Sequence, residues 1–249
     1  MKTIESQVNA VEGWLNPSEA KLLFKRANEC TGKGVIVEIG SWKGKSTICL
    51  ARGSIEGGRV KVHAIDPHTG STEHHEAFGK GNVWTFDEFQ QNIQKAGVDH
   101  MITPHVDFSE KVAKKFDQPV EFIFIDGLHE YEGVKVDFDS WFSKVVDGGY
   151  IAFHDSTCWD GVKKVVVEDV FRSNRFRKIR IAGSIVCAQK VAQNTALERL
   201  GNRLMLPIYL LHCFTDRMLW RLLHHYLDFP ITRHLITRIK TARLMWSKP

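Results

Sequence analysis

The stretch VEIGSWKGKST, residues 37–47, decides how this chain folds and what its first turn holds. It joins an apolar run to a glycine turn, and its last four residues copy the end of a nucleoside-triphosphate loop. That loop needs four residues between its glycines, so that enough backbone N–H groups surround the phosphates. Here only Ser41, Trp42 and Lys43 separate Gly40 from Gly44, and position 39 is Ile. Glu38, directly before the turn, would also repel a triphosphate. The turn therefore suits a ligand that tolerates an acid beside a glycine.

Outward from this turn, short apolar runs alternate with helical patterns. VIVEIG (35–40) reads as a strand, and a helix begins at Lys45 and runs to about Gly53. VKVHAID (60–66), ITPHVD (102–107), EFIFIDG (121–127) and GGYIAFHD (148–155) read as four more strands. Helices are expected at 85–96, 109–115, 131–146 and 161–171, with an earlier one at 18–30 whose N-cap is read as Ser18. Residues 68–83 read as a loop, and FRKIRI with SIVCAQK (176–190) as a closing pair of strands. Continuous apolar strands, each followed by a helix, imply an α/β, Rossmann-like, doubly wound and mostly parallel sheet.

In such sheets ligands sit beyond the carboxyl ends of the strands. Those ends carry Glu38, Asp66, Asp107, Asp126 and the pair His154–Asp155. Five acids at one rim are hard to explain as packing, because buried unpaired charge is expensive. The glycine turn and the helix N-terminus after it suit a carboxylate, and Ser46 can add a hydroxyl. An acid there can hold an ammonium, and Asp66 stands where a ribose-binding acid stands. A carboxylate and ammonium joined to a nucleoside describe S-adenosyl-L-methionine; the Gly-x-Gly-x-x-Gly of NAD enzymes is absent. Asp126, His154 and Asp155 suit a divalent cation such as Mg²⁺, and His154 also admits Mn²⁺ or Fe²⁺. His129 is the candidate general base, with a partner of Asp126 or a metal ligand as its other readings. Asp137, Asp139, Glu130 and Glu132 are expected on a solvated helix face, and Tyr131 to pack the helix start. His68, His74 and His75 are read as pocket-lining or simply exposed.

The bulk numbers fit this picture. The 249 residues are 43% hydrophobic and 25% charged, ordinary for a globular protein. Five scattered cysteines without a Cys-x-x-Cys pair argue against a disulfide framework or zinc knuckle and suit a reducing, cytoplasmic setting. The start lacks the apolar core of a signal peptide, and no apolar run is long enough to span a membrane. The net charge of +5 is uneven. Residues 193–249 carry nine Lys and Arg against three Asp and Glu, so the tail is basic and residues 1–192 are close to neutral.

VEIGSWKGKST resembles motif I of class I S-adenosylmethionine-dependent methyltransferases, in the form found among catechol-type O-methyltransferases. IDGLHEYEGVKVDF and GGYIAFHDS resemble methyltransferase family 24, which is related to macrocin-type sugar O-methyltransferases and cephalosporin-hydroxylase-like proteins. The similarity spans roughly residues 30–190. It implies the class I methyltransferase fold over 1–192, with 193–249 as a C-terminal helical extension. By position it also implies that Glu38, Gly40, Ser41 and Ser46 hold the methionine end of the cofactor. Asp66 would take the ribose, and Asp107 with Phe108 would lie near the adenine. Asp126, His154 and Asp155 would hold Mg²⁺, with His129 as base in the place of a lysine. The macrocin-type enzymes have consecutive acids where this chain has His-Asp.

The tail reads as three apolar-and-arginine segments, broken near Phe214 and at Pro230, with a kink at Pro207. Its first stripe is Leu197, Leu200, Leu204, Ile208 and Leu211, and its last is Ile231, Leu235, Ile239, Ala242 and Met245. These stripes are expected to pack on the domain or on a second copy in a homo-oligomer. The other reading is an interfacial anchor, residues 195–246 meeting a membrane peripherally, with Trp220 or Trp246 at the boundary. No nucleic-acid partner is expected, since large aliphatics interrupt the basic residues. The function expected is an S-adenosylmethionine-dependent O-methyltransferase acting on a sugar, glycan or other small polar acceptor, with divalent-metal assistance. The alternatives are a non-catalytic cofactor-binding scaffold and an iron-dependent hydroxylase-like enzyme.

Overall fold

The computed structural model describes residues 4–71 and 83–227. His74, His75, the last apolar stripe and Trp246 lie outside these residues. The described chain runs α1 (Ile4–Asn9), α2 (Pro17–Asn28), β1 (Val35–Ile39), α3 (Lys45–Glu56), β2 (Val62–Ile65) and α4 (Phe86–Lys95). It continues through a 3-10 turn (Asp99–Met101), β3 (Ile102–His105), α5 (Ser109–Lys115), β4 (Val120–Ile125) and α6 (Tyr131–Phe142). Then come β5 (Val145–Phe153), α7 (Asp160–Val165), a π-helical turn (Val166–Phe171), β6 (Phe176–Ala182), β7 (Ile185–Lys190) and α8 (Ala196–Leu227).

The strands form one seven-stranded sheet in the order β3-β2-β1-β4-β5-β7-β6. The first five are parallel, and β7 lies antiparallel to both β5 and β6. This is the doubly wound, mostly parallel sheet expected. Successive side chains of β4 feed opposite faces, as a strand's two-residue period requires. Phe122 and Phe124 join Leu23, Ile48 and Phe89 beneath α2, α3 and α4. Ile123 and Ile125 join Phe138, Trp141 and Val165 beneath α6 and α7.

Three boundaries differ from the sequence reading. The cap of α2 is Asn16 rather than Ser18: the Asn16 Oδ1 accepts the backbone N–H of Ser18 (2.9 Å) and of Glu19 (3.1 Å). Pro17 lacks an N–H and so fits the first helical position, which moves the cap one residue ahead of it. Helix α6 stops at Phe142 rather than at 146, and β5 begins at Val145 rather than at Gly148, because Val145 already pairs with Val120 and Asp147-Gly148-Gly149 bulges before the ladder resumes at Tyr150. Helix α8 runs unbroken past Phe214 and through Pro207.

Helix α8 does not pack its leucine stripe on the domain, one of the places expected for it. Asn202, Tyr209 and Cys213 are buried against the sheet's second face, and the Leu197–Leu211 stripe is exposed. The buried side is fixed by hydrogen bonds that leucines cannot make. The Tyr209 hydroxyl donates to the Ser156 carbonyl at 2.6 Å, and the Asn202 amide donates to the Phe176 carbonyl at 2.8 Å. No described helix is long and apolar enough to cross a membrane.

Candidate active site

The rim is set by strand register. Ile39 of β1 pairs with Ile65 of β2 and Ile125 of β4, and Ile125 pairs with Phe153 of β5. The residue after each strand end continues the ladder. Gly40 donates to the Ile65 carbonyl (2.8 Å), Asp126 to Ile39 (2.8 Å) and His154 to Ile125 (3.0 Å). Asp66, Gly40, Asp126 and His154 therefore stand in one row along the carboxyl edge.

The glycine turn is built for contact on two sides. Gly40 has φ +83°, and a Cβ there would lie 1.9 Å from the Asp126 carbonyl oxygen. The turn thus sits directly against the β4 end, and only glycine allows it. Gly44, at φ +91°, caps α3 in the left-handed region. Lys45 is buried, and its Nζ donates to the Gly13 carbonyl at 3.1 Å, toward the N-terminal segment. Lys43 pairs with Glu12 (3.0 Å) and Glu88 (2.9 Å). Both lysines of the loop are thus committed to protein partners, which agrees with excluding a triphosphate loop.

Glu38 is fully buried and accepts the Thr47 hydroxyl through Oε2, and Oε1 has no hydrogen-bond partner. Burial pushes its carboxyl up to about 8, against the opposing pull of the Ser46 and Thr47 hydroxyls. Ser41 is likewise buried with an unpartnered Oγ. Two orphaned polar atoms beside one turn are what a polar ligand head would satisfy. Asp66 accepts the Trp42 N–H (2.7 Å) and the His68 N–H (2.6 Å), one on each oxygen, and a carboxylate keeps lone pairs beyond these. Past β3, Phe108 stands exposed and Asp107 half-buried; Asp107 accepts the Phe108 N–H (2.8 Å) and pairs with Lys111 (3.4 Å).

A second cluster forms at the ends of β4 and β5. His154 is buried, with Nδ1 at 3.0 Å from Asp126 Oδ1 and 3.3 Å from Asp155 Oδ2. Its Nε2 faces Glu19 Oε2 at 3.5 Å. Burial opposes the imidazolium, but Asp126 and Asp155 outweigh it and hold the His154 pKa well above the usual value. Burial would raise Asp155 too, yet the imidazolium brings it down to about 2. For Asp126 burial wins and the pKa is raised. Glu19 was not foreseen at this site. Its Oε1 accepts the Ser184 N–H (2.8 Å) and hydroxyl (2.9 Å), and Oε2 accepts the Asn16 N–H (2.8 Å). The capping spacing from Asn16 to Glu19 announces a helix start; nothing local announces the approach to His154, 135 residues away.

Asp126, His154 and Asp155 offer three ligand atoms within 4.8 Å of one another. Contacts near 3 Å are the edges that six ligands at about 2.1 Å from a cation would make. A carboxylate behind the second imidazole nitrogen is the usual arrangement around a metal-bound histidine. The residues therefore fit a divalent cation, and they equally hold a proton on His154.

His129 approaches Asp155, with Nε2 at 3.5 Å from Oδ2, rather than Asp126. Its ring stacks on Trp159 at 4.7 Å. Together they line a cleft of about 490 Å³ with Glu130, Tyr131, Asp160 and Lys164. Tyr131 packs against the core at the start of α6, as expected; it also lines this cleft, and its hydroxyl donates to Glu168 (3.0 Å). One expectation fails, for Asp137, and the exposed reading of His68 is excluded. Asp137 is buried instead of solvated, because α6 turns it toward Ser109 beneath β4. His68 is buried, with Nδ1 at 2.9 Å from the Thr85 hydroxyl, and holds the loop after β2.

Residues 37–156 match the model of a methyltransferase domain family. They form a methyltransferase domain of this family. That domain includes the glycine turn, Asp66 and the whole Asp126–His154–Asp155 cluster. Among solved structures, the O-methyltransferase NovP is 17% identical, covering 70% of this chain and 80% of that one, with a TM-score of 0.57. The O-methyltransferase TomG from Streptomyces achromogenes, solved with S-adenosylmethionine, is 17% identical over 72% of this chain and 82% of its own (TM-score 0.52). An O-methyltransferase from Bacillus cereus, solved with S-adenosylhomocysteine, is 18% identical over 75% and 87% (TM-score 0.50). At these identities the likeness is one of fold, and the methyltransferase assignment rests on the family match.

Proposed function

We propose that this methyltransferase carries the methyl group of S-adenosylmethionine to a hydroxyl of a sugar, glycan or other small polar acceptor in the His129–Trp159 cleft. The carrying observation is the rim itself. Orphaned polar atoms of Glu38 and Ser41 stand beside Asp66 at one part of it. The other part holds a base candidate and an acidic cluster next to an aromatic-walled cleft. When bound, S-adenosylmethionine supplies an electrophilic methyl, and a divalent cation at Asp126, His154 and Asp155 would acidify the acceptor hydroxyl.

The chain's own residues do the rest. Glu38 Oε1 and Ser41 Oγ satisfy the cofactor's amino-acid head, while Asp66 accepts the ribose hydroxyls through its free lone pairs. Asp107 and Phe108 flank the adenine at the end of β3. Trp159 offers a flat face for a sugar ring, with Glu130, Asp160 and Lys164 as hydrogen-bonding neighbours. His129 Nε2 takes the hydroxyl proton, and Asp155 stabilises the imidazolium that results. Holding acceptor and cofactor in line is worth up to about 7–11 kcal/mol when the geometry is productive.

The test is calorimetric titration of S-adenosylmethionine with Mg²⁺, Mn²⁺ or EDTA, on wild type and Asp66→Ala, followed by S-adenosylhomocysteine release with a panel of hydroxyl acceptors. Micromolar binding that fails in Asp66→Ala, and turnover that fails in Asp126→Ala, are the expected results. No cofactor binding by the wild type under any condition overturns the reading. Turnover unchanged by EDTA means that the His154 proton, not a metal, is the resident cation.

A further inference from the structure

Helix α8 presents an apolar face with no partner among the described residues. Leu197, Leu200, Leu204, Ile208, Leu211, Phe214 and Met218 recur every three or four residues and are between 49% and 77% exposed. Their helix is anchored from the opposite side by Tyr209 and Cys213, so this face cannot roll inward. An apolar stripe of this length is beyond the scattered exposed leucines of an ordinary surface.

Its flank is cationic. Arg203 is exposed on α8 itself, and Lys163, Lys164 and Arg172 line a cleft of about 310 Å³ with Leu206 and Leu210. The acids of that cleft are engaged, Asp160 with Arg217 (2.6 Å) and Glu168 with Tyr131 (3.0 Å). The same cleft shares Asp160 and Lys164 with the His129–Trp159 cleft, so the cationic flank adjoins the site. By sequence the segment 193–249, Arg203 included, has nine basic residues against three acidic ones. A second copy would bring an equally basic tail against this one, whereas an anionic lipid surface complements both the stripe and its flank.

We propose that α8 seats the protein on an anionic membrane surface, its leucine stripe in the headgroup–acyl boundary and Arg172 and Arg203 against lipid phosphates. Resting on the methyltransferase reading, the consequence is that the acceptor is presented at that surface, beside the cleft.

The experiment is co-sedimentation of the full chain with vesicles of phosphatidylcholine alone or with added phosphatidylglycerol. Binding to the anionic vesicles should exceed binding to the neutral ones at least ~10-fold and weaken with salt. A Leu204→Glu/Ile208→Glu/Leu211→Glu variant should lose ~10-fold or more with an unchanged Tm, since these side chains are exposed. Arg172→Glu/Arg203→Glu should lose roughly 5-fold per arginine without touching the stripe. Equal binding to both vesicle types overturns the proposal, as does a stripe variant that turns a dimer into a monomer while vesicle binding is unaffected. Cofactor titration of the same variants separates the two readings. Vesicle binding by a protein that binds no S-adenosylmethionine would sink the function and leave the docking surface standing.

Discussion

At the scale of single residues, the rim depends on side chains held in unfavourable states. Glu38 is the clearest, a carboxyl sealed under the glycine turn with one oxygen unpaired. Its folded pKa, pushed up to about 8 by burial, lies above the ordinary carboxylate value of 4.5. The native state therefore binds the extra proton, and Glu38 stabilises the fold fully below about pH 4.5 and loses that contribution as pH rises toward 8. Glu38→Gln, which needs no proton, should remove this loss. The difference in Tm between variant and wild type, measured by scanning calorimetry from pH 5 to 9, should grow with pH. A flat difference means that the carboxylate is charged throughout. Gly40 supplies a second test. Gly40→Ala combines a left-handed φ with a collision against the Asp126 carbonyl, so it should cost well over the ~1 kcal/mol of a strained φ alone. Urea unfolding would read this, and a cost below that figure would mean that the β1 and β4 ends separate easily.

At the scale of elements, what was legible in the sequence follows from how locally each signal is written. Val35–Ile39, Val62–Ile65 and Val120–Ile125 are parallel strands buried on both faces, so they appear as unbroken apolar runs and were read within two residues or so of their ends. The rim acids were legible for the same reason, since a polar residue terminating such a run has to face the carboxyl edge. Boundaries failed where two local rules compete. Ser18 is a good cap, but Pro17 claims the first helical position; a pair of glycines can start a strand, but Gly148 and Gly149 lie in a bulge inside β5, which begins at Val145. Asn16→Ala removes the side-chain half of the capping box, the Oδ1 that accepts the Ser18 and Glu19 N–H groups, and keeps the backbone N–H that donates to Glu19. It should cost about 0.5–2 kcal/mol in urea unfolding, with Ser18→Ala near neutral; the reverse order would restore Ser18 as the cap. For helix α8 the structure excludes one of the open readings, packing of the Leu197–Leu211 stripe on the domain. A leucine stripe ordinarily marks the buried face, and only the tertiary partners of Asn202 and Tyr209, on β6 and after β5, reverse it. Glu19 and its approach to His154 were invisible for a similar reason, because a contact across 135 residues leaves no mark in local spacing.

At the scale of the whole molecule, the site is a seam rather than a pocket in one element. Its groups come from the ends of β1, β2, β4 and β5, the start of α2 and the loop before α7, and the rim is joined strand to strand by the Gly40, Asp126 and His154 N–H groups. A ligand head that satisfies Glu38 and Ser41 is held by the same turn that presses on Asp126, so binding should stiffen both clusters together. The linkage can be read as stability. At a hundred times its Kd a ligand specific to the native state adds about 2.7 kcal/mol, which for a chain of this size is a Tm rise of roughly 5–10 °C. S-adenosylmethionine should produce that rise in the wild type, and Asp66→Ala at the same concentration should lose most of it. Glu19→Gln, which disturbs the far side of His154 and the Ser184 and Asn16 contacts but no group that touches Glu38 or Asp66, should keep it. If the Glu19 variant loses the rise as fully as the Asp66 variant, the two clusters are one cooperative unit. If neither variant loses it, the ligand binds elsewhere and the rim has been misassigned.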